Sequence, residues 1–312
     1  MTPVLVALLS LPCAYWTEGV ETRATLEAAG VKRLCVPSER VEAWRAAGFS
    51  ASPLTGTDLA AREALPTPGT TARPGQASPT RSPWIVASGW RFTRNPAKKY
   101  QYDLPTGKAG LAAAEAFAYG ADAVLKVNAS DLESFGRMLK FLEGLPGADL
   151  PPVSDLAVVD DGSAITGEVM NLLTRRNLLF EVVQTPSPRF RINIALGSPD
   201  YPVAEAADPS GFVLKIRRQL TDEQRSLRVY GSEVVICRLT GNAERARLHV
   251  LNYGGREIEG LRLRVRGAYG AGEAHVPGAG RVSLQDHVAA DGATEFSLPR
   301  LATYTVIDLR AR

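Results

Sequence analysis

At Glu233 the spacing of apolar residues changes from the three-and-four rhythm of helices to strict alternation, and a chain that does this must build two different kinds of layer. From there to the C-terminus the segments VVICRL, ARLHVLNY, IEGLRLRVRG, EAHVP, RVSLQD, TEFSLP and TYTVIDL are short and separated by Gly, Asn and Asp. That pattern predicts an antiparallel β-sandwich over 233–312, with no helix anywhere in 246–265. In LRLRVRG, Leu261, Leu263 and Val265 fall on one face and Arg262, Arg264 and Arg266 on the other, so the arginines read as a solvated outer face.

Upstream, the stretch from Asp155 to Val183 reads as strand, acidic turn, helix and second strand. Ile165, Val169, Leu172 and Leu173 recur at helical spacing, Ser163 can cap the helix, and Arg175 and Arg176 suit its C-terminal end. A second helix is predicted to start at Asp208, with Pro209 in its first turn and Phe212, Ile216 and Leu220 on one face. Residues 151–232 therefore form a small α/β, flavodoxin-like unit.

Residues 15–144 repeat the β-then-α pattern, with Gly30, Gly48 and Gly120 as helix stops. PWIVASGW reads as a strand followed by a polar, aromatic loop, RFTRNPAKKYQYDLPTGK, whose Arg91, Arg94, Tyr100, Tyr102 and Asp103 would line one mouth of a parallel sheet. Residues 56–82 are rich in Thr, Pro and Gly and read as surface loop, and GLPGADLPP is the clearest linker. The link from Val183 to Arg191 is too short to cross over to a parallel neighbour through a helix. The prediction is α/β plus all-β: a shortened (β/α) barrel-like or open-sheet N-terminal part, the small α/β unit, and the sandwich.

A chain of 312 residues is expected to hold more than one domain. A net charge of +3, with positive residues spread among acidic ones, argues against nucleic acid as a partner. The apolar run from Val4 to Leu11 is too short for a stable membrane span and suits the core of a signal peptide over residues 1–14, giving a mature chain beginning near Tyr15 in a secreted or periplasmic protein. A lipid anchor at Cys13 and a buried first strand are the alternatives. Cys35 and Cys237 lie in apolar, strand-like settings that suit free buried thiols, and the three cysteines show neither a disulfide framework nor metal spacing. No motif for a cofactor is present.

The order of parts, with VVDDGS opening the small unit and LHVLNYGG in the sandwich, resembles that of bacterial secreted glycoside-hydrolase-like proteins. These carry a (β/α)₈ barrel, sometimes an inert amidotransferase-like domain, and a terminal β-domain. The resemblance implies carbohydrate processing or binding at the carboxyl ends of the α/β strands, where a pair of carboxylates would do the chemistry. Glu18 and Asp161 are the candidates for that pair. Trp16, Trp90, Lys126, Asn128, Asp160 and Ser163 are candidates for ligand binding, since a flat ring stacks on a sugar face and polar groups hold its hydroxyls. Two other readings compete. The Asp160–Asp161–Ser163 turn serves equally as a helix cap, and a degenerate barrel with a sandwich serves equally as a non-catalytic scaffold.

Overall fold

The computed structural model describes residues 11–71 and 84–311, and the chain divides into two compact units. The first comprises residues 11–69 and 95–149, the second residues 70–71, 84–94 and 150–311. Residues 84–94, which the sequence groups with the N-terminal part, thus belong to the second.

Six parallel strands form the sheet of the first unit, in the order Ser50–Pro53, Arg33–Val36, Cys13–Tyr15, Asp122–Lys126, Lys99–Asp103, Glu63–Leu65. Numbered along the chain, the order is 3-2-1-6-5-4, the succession of six neighbouring barrel strands with the ladder open between the third and fourth. Among the described residues no ladder joins those two, so the sheet takes the open form. The helix Ala109–Tyr119 lies close against its neighbours because Ala112, Ala113, Ala114 and Ala116 have no bulk to hold them off, and all four have no exposed surface. Gly120 ends it in the left-handed conformation, at φ 64°. The helix Leu132–Glu143 crosses the Ala29–Gly30 turn so closely that a Cβ at Gly136 would lie 1.8 Å from the Ala29 carbonyl oxygen.

Three expectations change here. The polar loop after Trp90 is instead the helix Gly89–Arg94 and the strand Lys99–Asp103. KYQYD does alternate, but its inward residues are the tyrosines Tyr100 and Tyr102, both wholly buried, and its outward ones are strongly polar. Tyr102 donates to the buried Glu115 carboxylate (2.6 Å) rather than facing a ligand. Second, Cys13 and Cys35 are joined in a disulfide across the adjacent strands Cys13–Tyr15 and Arg33–Val36, leaving Cys237 as the buried free thiol. Their approach is set by strand pairing, which spacing in the sequence does not reveal. Third, the stretch 56–82, read from the sequence as surface loop, contains the helix Gly56–Ala60 and the edge strand Glu63–Leu65. The strand Cys13–Tyr15 sits between two partners, with Ala14 wholly buried. The run Val4 to Leu11, apart from Leu11, lies outside the described residues. No helix among the described residues is long and apolar enough to cross a membrane.

In the second unit, Leu156–Val159 is flanked by Phe180–Val183 on one side and Asn193–Ile194 on the other, all parallel. The two later strands pair with opposite edges of the first, and this is how the short Val183–Arg191 link fits a parallel sheet without a helical crossover between neighbours. Packed with this sheet are the helices Ala164–Arg175 and Pro209–Leu220, whose Val169, Leu172, Leu173, Phe212, Ile216 and Leu220 enter one core. Asn177, in the left-handed region at φ 53°, ties this layer to the sandwich: its side chain donates to the Val235 carbonyl (2.9 Å) and accepts from the Cys237 N–H (2.7 Å).

The sandwich has a four-stranded sheet ordered Leu227–Val229, Ile258–Arg266, Ala293–Leu301, Gln285–Ala290, and a five-stranded sheet ordered Val235–Gly241, Arg245–Asn252, Tyr304–Arg310, Ala271–Val276, Gly280–Ser283. It begins slightly before Glu233, because LRV is too short to show its alternation. Leu261, Leu263 and Val265 enter the core. Arg262 and Arg264 face Glu295, and Arg266 donates to the Gln224 carbonyl (3.1 Å), as a solvated outer face should.

The strand Arg245–Asn252 is buried on both faces, and its second face carries polar groups. Asp308 accepts two bonds from Arg247, each 2.7 Å, and lies 3.2 Å from His275 Nε2. His249 Nδ1 is 2.6 Å from the Tyr304 hydroxyl. Burial, followed by the charges of Arg238 and Arg247, holds the His249 imidazole down at about 3. An unfolded histidine titrates near ~6.5, so as the pH falls below that value the unfolded chain takes up a proton that the folded one refuses. The contribution of His249 is complete above pH ~6.5 and is lost progressively toward the folded value, at about 1.4 kcal/mol per pH unit. Urea titrations at two pH values, one near ~6.5 and one near ~5, should show about 2 kcal/mol of acid loss from this group, and His249→Gln should lose correspondingly less. Equal acid slopes for the two proteins would refute it.

Candidate functional site

Parallel strands present their carboxyl ends together, and in the first unit this edge gathers four of the predicted residues. Lys126 ends its strand in register with Tyr15 on one side and Asp103 on the other. Trp16 and Glu18 follow Tyr15, and Asn128 follows Lys126. Their surroundings divide them. Trp16 is only 6% exposed, and its indole N–H donates to Thr22 Oγ1 (3.0 Å), so it braces the loop after the strand instead of offering a stacking face. Glu18 is exposed, Lys126 pairs with the exposed Asp103 (3.3 Å), and Asn128 donates to the Leu104 carbonyl (2.8 Å). The backbone of this rim is pinned by a residue the sequence had hidden at a helix start. Asp131, 4% exposed, accepts from the N–H groups of Gly107 (2.7 Å) and Lys108 (3.3 Å). An aspartate just before a helical run looks like an ordinary cap, and only the fold supplies its distant donors.

The other four predicted residues are in the second unit, around the turn that follows Leu156–Val159. Arg94 clamps Asp160 with two hydrogen bonds, Nε to Oδ2 (2.9 Å) and Nη2 to Oδ1 (2.6 Å), and reaches the Ser163 carbonyl (3.0 Å). These side chains are 13% and 14% exposed. The bond from Arg94 holds the Asp160 carboxyl below the usual range, the opposite of what a general acid at neutral pH requires. Asp161 is exposed and accepts from the Ser163 N–H (2.9 Å), and the Ser163 hydroxyl accepts from the Thr166 N–H (3.2 Å) as the cap of the helix Ala164–Arg175. Trp90 and Arg94 together close over Gly167, where an added Cβ would meet Arg94 Nη1 at 2.7 Å and Trp90 at 3.1 Å. Arg91 lies over the same indole, 4.3 Å from the ring centroid. The turn is therefore a capped, ion-paired helix start. Arg94 stands 66 residues from Asp160 in the chain, so no local pattern could pair them.

Glu18 belongs to the first unit and Asp161 to the second, and neither unit by itself holds the predicted pair. Among the described residues no group of three or more His, Cys, Asp or Glu is placed to hold a metal ion.

No protein-family model matches this chain, and no curated protein does. Solved structures do. The α-L-fucosidase isoenzyme 2 from Paenibacillus thiaminolyticus superposes over 88% of this chain and 70% of its own length, with a TM-score of 0.56 at 10% identity. A β-galactosidase from Bacillus circulans sp. alkalophilus covers 96% of this chain with a TM-score of 0.41 at 10% identity, and one from G. stearothermophilus covers 79% with 0.39 at 8%. This chain spans 60% and 53% of those two proteins. The fucosidase superposition shows that the chain has a distant glycoside-hydrolase-like fold.

Proposed function

We propose that the protein is a glycoside-hydrolase-like carbohydrate-binding protein that holds its ligand at the carboxyl edge of the first unit's sheet, around Glu18, Asp103, Lys126 and Asn128. The observation that carries this reading is the likeness to the fucosidase over most of the chain. Binding is favoured over hydrolysis because glycosidases commonly need two carboxylates about 5–10 Å apart, one of them held protonated. Asp160 is locked as an anion by Arg94, and Asp161 serves a helix start. The Cys13–Cys35 disulfide supports export, since such bonds persist in oxidising compartments.

A thermal-shift and hydrolysis screen against neutral and acidic oligosaccharides tests the proposal, with Glu18→Gln, Lys126→Met and Asp161→Asn as variants. The expected result is a ligand-induced rise in Tm that Glu18→Gln and Lys126→Met weaken and Asp161→Asn leaves alone, with no sugar released. Release of sugar that Glu18→Gln abolishes would make the protein a hydrolase. If no saccharide moves the Tm, the carbohydrate reading fails and the scaffold takes its place.

A further inference from the structure

The second unit contains a cleft of about 900 Å³ into which five arginines converge: Arg175, Arg176, Arg217, Arg225 and Arg228. They come from the ends of the helices Ala164–Arg175 and Pro209–Leu220 and from the first strand of the sandwich with its lead-in. Guanidinium groups do not lose their protons in proteins, so every charge gathered here must be answered. Glu233 is the one acid in the lining. Behind it Asp222 is shared three ways, by Arg225, by Arg228 (3.0 Å) and by Arg217 (4.0 Å). Glu295 accepts from the Tyr230 hydroxyl (3.2 Å) at the rim but is already engaged by Arg262 and Arg264.

Three guanidinium groups, those of Arg217, Arg225 and Arg228, converge on the single carboxylate of Asp222. Arg176 donates to the Ser210 hydroxyl (3.3 Å) rather than to a carboxylate. Arg225 is only 5% exposed, yet its Nε finds no acceptor among the described residues. Burial, and then Arg217, push the Arg176 guanidinium below its ordinary range, and burial does the same to Arg225. The arrangement is strained in the absence of an anion and suited to one in its presence. Arg175 lies flat on Trp84, 3.3 Å from the ring centroid, which fixes the plane of its fork. Ile85, Val229 and Ile258 supply apolar walls that keep local screening weak.

We propose that this cleft is a binding site for a ligand bearing at least two oxyanion groups, each gripped by a pair of guanidinium forks. The proposal is independent of the saccharide site on the first unit. Sugar-borne carboxylates and phosphates share the required chemistry, and the test separates them.

The experiment is calorimetric titration of the full chain with trigalacturonate, with pyrophosphate and with neutral galactotriose, in wild type, Arg176→Gln, Arg228→Gln and the first-unit variant Lys126→Met. At least one of the two anions should bind one-to-one and weaken with added salt. Each arginine variant should lower its affinity about tenfold or more, and Lys126→Met should leave pyrophosphate binding unchanged. Whichever anion binds more tightly names the source. Trp84 fluorescence should change on binding, and Trp84→Phe should remove that change. Arg176→Gln should leave the Tm of the free protein unchanged or raise it, since it relieves repulsion with Arg217. Absence of binding by both anions, or affinities unaltered in both arginine variants, would overturn the site. So would a lower Tm in Arg176→Gln with no anion bound, which would make the arginines purely structural.

Discussion

Replacing Arg247 by alanine should lower the stability of the second unit by about 3–5 kcal/mol, because it leaves Asp308 as an uncompensated buried charge. Arg247 is 2% exposed and Asp308 9% at the side chain, and two bonds of 2.7 Å join them in the middle of the five-stranded sheet. Against a total of about 5–15 kcal/mol for a folded domain, that loss is a large share. Burial alone would raise the Asp308 carboxyl, but the bonds and charges of Arg247 and His275 outweigh it and hold the group below its ordinary range. The sign follows: the stabilisation is complete above the unfolded value of about 3.9 and is lost as the pH falls through the lower, folded one. Urea denaturation near neutral pH measures the variant directly, and a loss under about 1 kcal/mol would show the pair to be relaxed or hydrated. The double variant Arg247→Met with Asp308→Leu should recover much of the loss, since a well-packed apolar pair removes both desolvation costs.

Gly136→Ala should destabilise the first unit by about 2–3 kcal/mol, against the sign that helix propensity gives. In an open helix the change would gain up to about 1 kcal/mol. Here the new methyl would lie 1.8 Å from the carbonyl oxygen of Ala29 and 2.9 Å from its carbon, and both atoms belong to backbone that cannot swing aside. The helix Leu132–Glu143 must lift from the turn it crosses, losing contacts along its buried face. Gly110→Ala is the control, because a Cβ there meets nothing nearer than 3.9 Å. It should be neutral or slightly stabilising. A Gly136→Ala protein as stable as wild type in denaturant would mean that the crossing is looser than described.

The periodicity of the sequence carried the architecture well where one face of an element is apolar and the other polar. LRLRVRG announced its strand, and the helix over Ala164–Arg175 announced both its buried side and its Ser163 cap. Legibility failed where the inward residues are themselves polar-tipped, as with Tyr100 and Tyr102, whose hydroxyls disguised a central strand as a loop. It failed also for every pairing made at long range. The Cys13–Cys35 bond, the Arg94–Asp160 clamp and the anchoring of Gly107 by Asp131 depend on which strands are neighbours, and local spacing holds no record of that. The candidate site suffered most. Trp16 and Asp160 have the residue types of a sugar site, but the same types serve to brace a loop and to pair an arginine, and only burial and partners tell the uses apart.

The exchange of segments between the two units has a consequence for how the chain is made. A ribosome delivers residues 70–94 before the second half of the first unit and well before the sheet and helix that Trp90 and Arg94 pack against. Gly167 emerges about 70 residues after Arg94, which at typical synthesis rates is roughly 4 to 15 s. For that interval Trp90 lacks the core it packs against, and for the first part of it the first unit still lacks its strands Lys99–Asp103 and Asp122–Lys126. Cutting the gene at residue 149 would make this temporary state permanent, since the N-terminal piece would keep a segment belonging to its neighbour and the C-terminal piece would lack it. The protein is thus two bodies in space but one indivisible message in translation.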